Sequence, residues 1–179
     1  MIRTLILGCL LFSLPTMVLA GDNSLLVPAT GRCALNTAPE DRQQALDACR
    51  QMAQQGDGQA QYELGEYFSN GELTPRDMEQ ALTWFERASL QGHAVAQYRL
   101  GMMFFRGDGV PANNVQAYIV LKMSAVNGSD DAMDSADQVA AQMGHDELEI
   151  ATQVLGQIFR SYLLELQAAD GRSPFSPLP

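Results

Sequence analysis

Cationic side chains are scarce in this sequence. Lysine and arginine together number 11 against 21 aspartates and glutamates, and Lys122 is the lone lysine. A formal charge of −10 without a basic cluster excludes nucleic acid as a partner, because a phosphate backbone is held mainly by grouped Lys and Arg. Histidine is scarcer still: His93 and His145 stand alone near inter-helix turns, without the paired spacing of a zinc site. The chain has no G-x-S-x-G elbow, no G-x-x-x-x-G-K-[ST] loop and no H-E-x-x-H helix, so no catalytic residue, metal ligand or cofactor is assigned. Gly56-Asp57-Gly58 and Gly107-Asp108-Gly109 read as turns, since they lack the run of acids that a calcium loop needs.

Long apolar runs are also lacking, with one N-terminal exception. Arg3 is followed by an apolar stretch from Leu5 to Leu14, and Val18-Leu19-Ala20 closes it with small residues at the cleavage-determining positions. Pro15 interrupts the stretch, which is shorter than the roughly 20 residues a bilayer core needs. The expectation is a cleaved signal peptide over 1–20, a mature chain starting at Gly21 in the periplasm, and no stable membrane insertion. Cleavage removes Arg3 and no acid, so the mature protein is more acidic still, a balance that favours a cationic or neutral partner. Of three cysteines, Cys9 leaves with the leader, and Cys33 and Cys49 remain in a compartment that oxidises thiols. A disulfide between them would pin the irregular segment 21–37 to the first helix and contribute on the order of 3 kcal/mol. Two buried free thiols are the alternative.

The most informative presence is a repeat with a period of 36 residues. Pro39, Pro75 and Pro111 share this spacing; so do Asp41, Asp77 and Asn113, then Gln44, Gln80 and Gln116, then Ala45, Ala81 and Ala117. Gly56, Gly92 and Gly128 follow, then Ala60, Ala96 and Ala132, while Leu64/Leu100, Gly65/Gly101, Phe68/Phe104 and Gly71/Gly107 complete two copies. Proline sets the backbone before a helix, Asp or Asn caps its first turn, and the Gln three residues on completes a capping box. Helices are therefore expected from near residues 40, 76 and 112 to the glycines at 56, 92 and 128, where a left-handed residue closes a helix. A second set starts near 58, 94 and 130. Gly65 and Gly101 fall inside that second set, where each costs about 1 kcal/mol against Ala; a close contact must compensate, with Trp84 and Phe85 as the expected fillers in the second repeat.

The third copy weakens at Ala136-Asp137, which replaces Leu-Gly. Beyond it Leu148, Ala151, Leu155, Ile158, Tyr162 and Leu166 lie on one helical face, as a helix closing the end of a stack requires. The expected organisation is repeats over 38–145, a capping helix over 146–168 and a disordered proline-rich tail over 169–179.

These residues resemble the Sel-one-like repeats (SLR), relatives of the tetratricopeptide repeats. Ala60, Leu64, Gly65, Phe68, Gly71, Asp77, Ala81, Trp84, Ala88 and Gly92 match the family pattern, and Ala96, Leu100, Gly101, Phe104, Gly107, Gly109, Val110, Ala117 and Gly128 match it again. Gln stands where the family has Lys, and Val120 replaces Trp. The resemblance implies an all-α fold, a right-handed α/α solenoid of about three helix pairs with a longer C-terminal capping helix. It also implies a non-catalytic adaptor or scaffold for a protein partner in the bacterial envelope. An immunity or inhibitor protein against a toxic effector is an alternative, as is an accessory of a flagellar motor or polysaccharide-export apparatus; the oligomeric state stays open.

Comparison of the repeats marks a candidate partner surface. Positions that stay fixed build the stack, and positions that change can specify a partner: Glu63 becomes Arg99, Glu66 becomes Met102, Tyr67 becomes Met103 and Asn70 becomes Arg106. Their three- and four-residue spacing puts them on one helix face. Two exposed methionines beside arginine would suit an adaptable contact, the alternative being that either methionine is core. On this reading, replacing Arg99 and Arg106 by Glu weakens partner capture without changing the melting temperature. Asp130, Asp131, Asp134 and Asp137 read as a solvated acidic face at a helix N-terminus.

Overall fold

The computed structural model describes residues 33, 35, 37–71 and 73–170, with side chains to residue 165. The expected leader, most of the segment after it and the proline-rich tail from 171 lie outside the described residues. Seven helices follow in order: α1 Arg42–Gln54, α2 Gly58–Asn70, α3 Met78–Leu90, α4 Ala94–Arg106, α5 Asn114–Val126, α6 Asp130–Ala140 and α7 His145–Asp170. Each of the first three pairs starts and stops within two residues of the positions the period implies. Gly56, Gly92 and Gly128 lie at φ 95°, 77° and 100°, the left-handed turn that lets the chain reverse into the next helix.

The caps hold with one departure and one refinement. Asp77 and Asn113 accept from the backbone N–H groups of Gln80 and Gln116 at 3.0 and 2.9 Å, whereas Asp41 makes no side-chain cap and already has helical backbone angles. The capping box does not close through the cap residue's own N–H, because that group is spent on the preceding helix. Asp77 N donates to Phe68 O at 2.9 Å and Asn113 N to Phe104 O at 2.8 Å. Gln80 turns instead to the Asp77 carboxylate, at 2.7 Å. These bonds, the Gln80 N–H first, hold the Asp77 carboxyl below the usual carboxylate range.

Small residues set how closely the helices approach. Ala60, Ala81, Ala88, Ala96, Ala117, Ala132 and Ala136 are fully buried. A Cβ on Gly65 would stand 2.5 Å from Phe85 Cδ1, and one on Gly101 would stand 2.7 Å from Leu121 Cγ. The missing side chains are therefore sockets for Phe85 and, one period later, Leu121. Trp84 takes a different part: it is half-buried against the core, with the Arg87 guanidinium 4.8 Å over its ring. Two apolar clusters result, one within α1–α4 and one centred on α5, α6 and α7, and Phe104 packs against both.

Buried glutamines tie successive repeats together. Gln61 Nε2 donates to Ala53 O at 2.9 Å, and its Oε1 accepts from Gln91 at 2.6 Å. One period on, Gln97 Nε2 donates to Ser89 O at 3.0 Å and accepts from Asn127 at 2.8 Å. The third copy has the half-exposed Met133 at this position, and Asp137, where a socket glycine would stand, faces solvent beside Lys122 at 3.9 Å. α6 thus offers neither socket nor staple to a further repeat, and α7 packs along α5. Cys33 and Cys49 are joined by a disulfide that secures the entry to α1.

The closing helix buries less than its sequence face implies. Ala151 and Leu155 are buried, and Leu148 and Ile158 are half-buried, but Tyr162 is 56% exposed. The reason is length. α7 has 26 residues and α5 has 13, about 39 and 20 Å at the helical rise, so α7 overhangs its support. The side chain of Leu166 lies outside the described residues.

Candidate binding groove

α2 and α4 present the repeat-specific positions, and α3 with its leading loop passes between them in sequence. Where they converge lies a groove of about 500 Å³. Six of the eight residues marked by repeat comparison line it: Glu66, Asn70, Arg99, Met102, Met103 and Arg106. Glu63 and Tyr67 do not. Glu63 accepts from Gln59 at 2.8 Å one turn earlier, and Tyr67 packs edge-on against Phe68 with ring centroids 5.2 Å apart. Met103 is 5% exposed and belongs to the core, so the expected exposed methionine pair reduces to the half-buried Met102.

Sequence comparison missed Arg76, Met78, Phe85, Tyr98 and Asp108, which complete the lining with Ser69. Comparing α2 with α4 position by position cannot find Arg76, Met78 and Phe85, which come from the loop and helix between them, or Asp108, which follows α4. Tyr98 escaped because it recurs from Tyr62, and Ser69, which becomes Phe105, was a changed position left unused. Arg76 carried a usable signal, since the equivalent residue one period later is Ala112.

The central feature of the groove is an ion pair that joins two repeats. Arg99 Nη2 donates to Glu66 Oε2 at 3.0 Å, and Nε stands 2.7 Å from Oε1 as an ion-pair contact without hydrogen-bond alignment. Burial works against the Arg99 charge, but the facing Glu66 outweighs it and holds the group more firmly protonated than an ordinary arginine. Beside the pair, burial first and then the Glu66 charge push the Tyr62 phenol up. Arg99 therefore joins two repeats, so its reversal is expected to touch stability as well as partner capture, unlike that of Arg106. Arg76 and Arg106 differ: neither makes a salt bridge among the described residues, and Arg76 uses Nε on Ser69 O at 2.9 Å.

Among the described residues, no three His, Cys, Asp or Glu side chains come together as a metal site would need, and no helix is long and apolar enough to cross a membrane. The acids of α6 at 130, 131, 134 and 137 are exposed.

The Sel1 repeat family pattern matches residues 58–93 and 94–125, which begin at α2 and α4. No curated protein matches the sequence. Among solved structures, a protective antigen of uropathogenic Escherichia coli with an SLR fold is similar at 24% identity and a TM-score of 0.66, over 80% of this chain and 31% of that one. A Sel1 repeat protein from Oxalobacter formigenes is 27% identical over 51% of this chain and 37% of that one, at a TM-score of 0.49. Helicobacter pylori cysteine-rich protein B is 22% identical over 52% of this chain and 70% of that one, at a TM-score of 0.50. The chain spans about a third of the length of the first two. Matching repeats over residues 58–125, sockets recurring at Gly65 and Gly101, and an all-α stack with a longer terminal helix agree: this part of the chain is built of Sel1-like helical repeats.

Proposed function

We propose that the protein is a periplasmic adaptor that holds a protein partner in the groove between α2 and α4. One observation carries this reading. The recurring pairs Ala60/Ala96, Leu64/Leu100, Gly65/Gly101 and Gln61/Gln97 are buried as core, sockets and staples, whereas six of the eight α2 and α4 positions marked as changing line one groove. A stack needs the first kind for stability, and the second kind is free to meet a partner. The leader-like segment over 1–20 and the Cys33–Cys49 disulfide support export, since such bonds persist in oxidising compartments.

A photocrosslinking amino acid at Met102, in cells producing the chain from its own leader, is expected to capture one protein in a defined band. The same group at the exposed Glu149 on α7 is expected to capture none. Equal capture from both positions refutes the groove. Cell fractionation with N-terminal sequencing tests export: a periplasmic chain starting at Gly21 supports it, and an unprocessed cytoplasmic chain overturns it.

A further inference from the structure

We propose that the groove, if it is the docking surface described above, recognises a carboxylate: an Asp or Glu side chain of the partner flanked by an apolar residue. The chain as a whole is acidic, but the groove inverts that sign. Five charged residues line it, Arg76, Arg99 and Arg106 against Glu66 and Asp108. Arg99 and Glu66 cancel as an ion pair, with one hydrogen bond to Glu66 Oε2 and Oε1 buried in contact at 2.7 Å. Among the described residues of the lining, what remains is Arg76 and Arg106 against Asp108, an excess of positive charge. Among the described residues Arg76 commits only Nε, to Ser69 O, and its terminal nitrogens make no other hydrogen bond there.

A guanidinium fork matches a carboxylate at two points and is the side chain suited to that task. Met78 and Met102 border the same space, and thioethers adapt to the shape of an apolar neighbour. Acidic charge next to an apolar side chain is the chemistry this combination fits.

The site occurs once in the stack. One period on from Glu66, Arg99, Arg106 and Arg76 stand Met102, Ser135, Gln142 and Ala112, so the α4–α6 joint has neither the ion pair nor the free arginines. Acidic surface elsewhere repels an acidic partner, which confines its productive contact to the groove.

The test pans phage-displayed random dodecapeptides on the processed wild-type protein. Its strongest binder is then synthesised with a fluorophore, together with a version in which Asp and Glu become Asn and Gln, and anisotropy measures both. Selected peptides are expected to be rich in Asp or Glu beside Leu, Phe or Met. The amide version is expected to bind about tenfold more weakly, as loss of a charge-assisted bond implies. Arg106→Glu, at an exposed position without a salt bridge among the described residues, is expected to weaken the acidic peptide by a similar factor and the amide peptide little, with circular dichroism unchanged. Selection of neutral or basic peptides, equal binding of the acid and amide forms, or no enrichment at all each overturns carboxylate recognition. The Met102 crosslink in cells then decides separately whether the groove docks a protein.

Discussion

At the scale of single residues, the two kinds of glycine in these helices separate cleanly. Gly65 is occupied space, with Phe85 where its side chain would be, whereas Gly156 has nothing within 4 Å. Gly65→Ala forces the ring to move and is expected to destabilise by about 1–3 kcal/mol, overpacking outweighing the helix preference of Ala. Gly156→Ala is expected to stabilise by up to about 1 kcal/mol. Urea unfolding measures both, and a stabilised Gly65→Ala would refute the socket. His93 makes a second residue-scale prediction. Its Nδ1 accepts from Ala96 N at 3.2 Å to cap α4, so Nε2 carries the proton and donates to Gln59 Oε1 at 2.9 Å, while Tyr62 stacks at 4.8 Å between centroids. Burial lowers its pKa from the ordinary histidine value, against the opposing charge of Glu63. With the folded value below the unfolded one of about 6.5, the unfolded chain takes up the proton first. The contribution is thus fully present above about pH 6.5, falls as pH drops through that value, and levels off once the folded imidazole is protonated. His93→Asn keeps a cap without the titration, and its unfolding free energy is expected to lose this part of the pH slope. Parallel slopes for the two proteins would contradict the assignment.

Among the helices, the caps show where a local pattern stops being a local fact. Pro-x-Asp at the start of α1 looks like the corresponding triplet before α3, yet Asp41 caps nothing while Asp77 does. The difference lies in the preceding helix. Asp77 and Asn113 hang their backbone N–H groups on α2 and α4, which holds them extended and aims the side chains at the next turn. Asp41 has no helix before it among the described residues. Asn113→Ala is expected to cost about 1 kcal/mol, and Asp41→Ala only a few tenths, as thermal or urea unfolding will read. Equal costs would mean that the cap does not depend on the helix before it.

For the molecule as a whole, the Glu66–Arg99 bridge joins two repeats and frames the groove, so stability and recognition can be separated there. Arg99→Glu sets two carboxylates face to face and is expected to lower stability by about 1 kcal/mol, the scale of a good half-exposed pair. The swapped Glu66→Arg, Arg99→Glu protein is expected to recover most of it. Arg106→Glu should leave the melting temperature unchanged, and a comparable loss there would show that Arg106 also braces the stack. Helix starts and stops, left-handed glycines and sockets at Gly65 and Gly101 were all legible in the 36-residue period, because turn chemistry acts over a few residues and a repeated joint must repeat its small residues. Gln61 and Gln97 also stand one period apart, a signal the comparison of repeats did not use, and only their burial shows what they do. The rest depended on which surfaces meet in space. The lining of the groove comes from three separated segments, Arg99 is spent on Glu66, and α7 settles along the shorter α5 and overhangs it. Spacing along the chain encodes the geometry of one helix and its turns; distances between helices follow from how all the side chains pack at once.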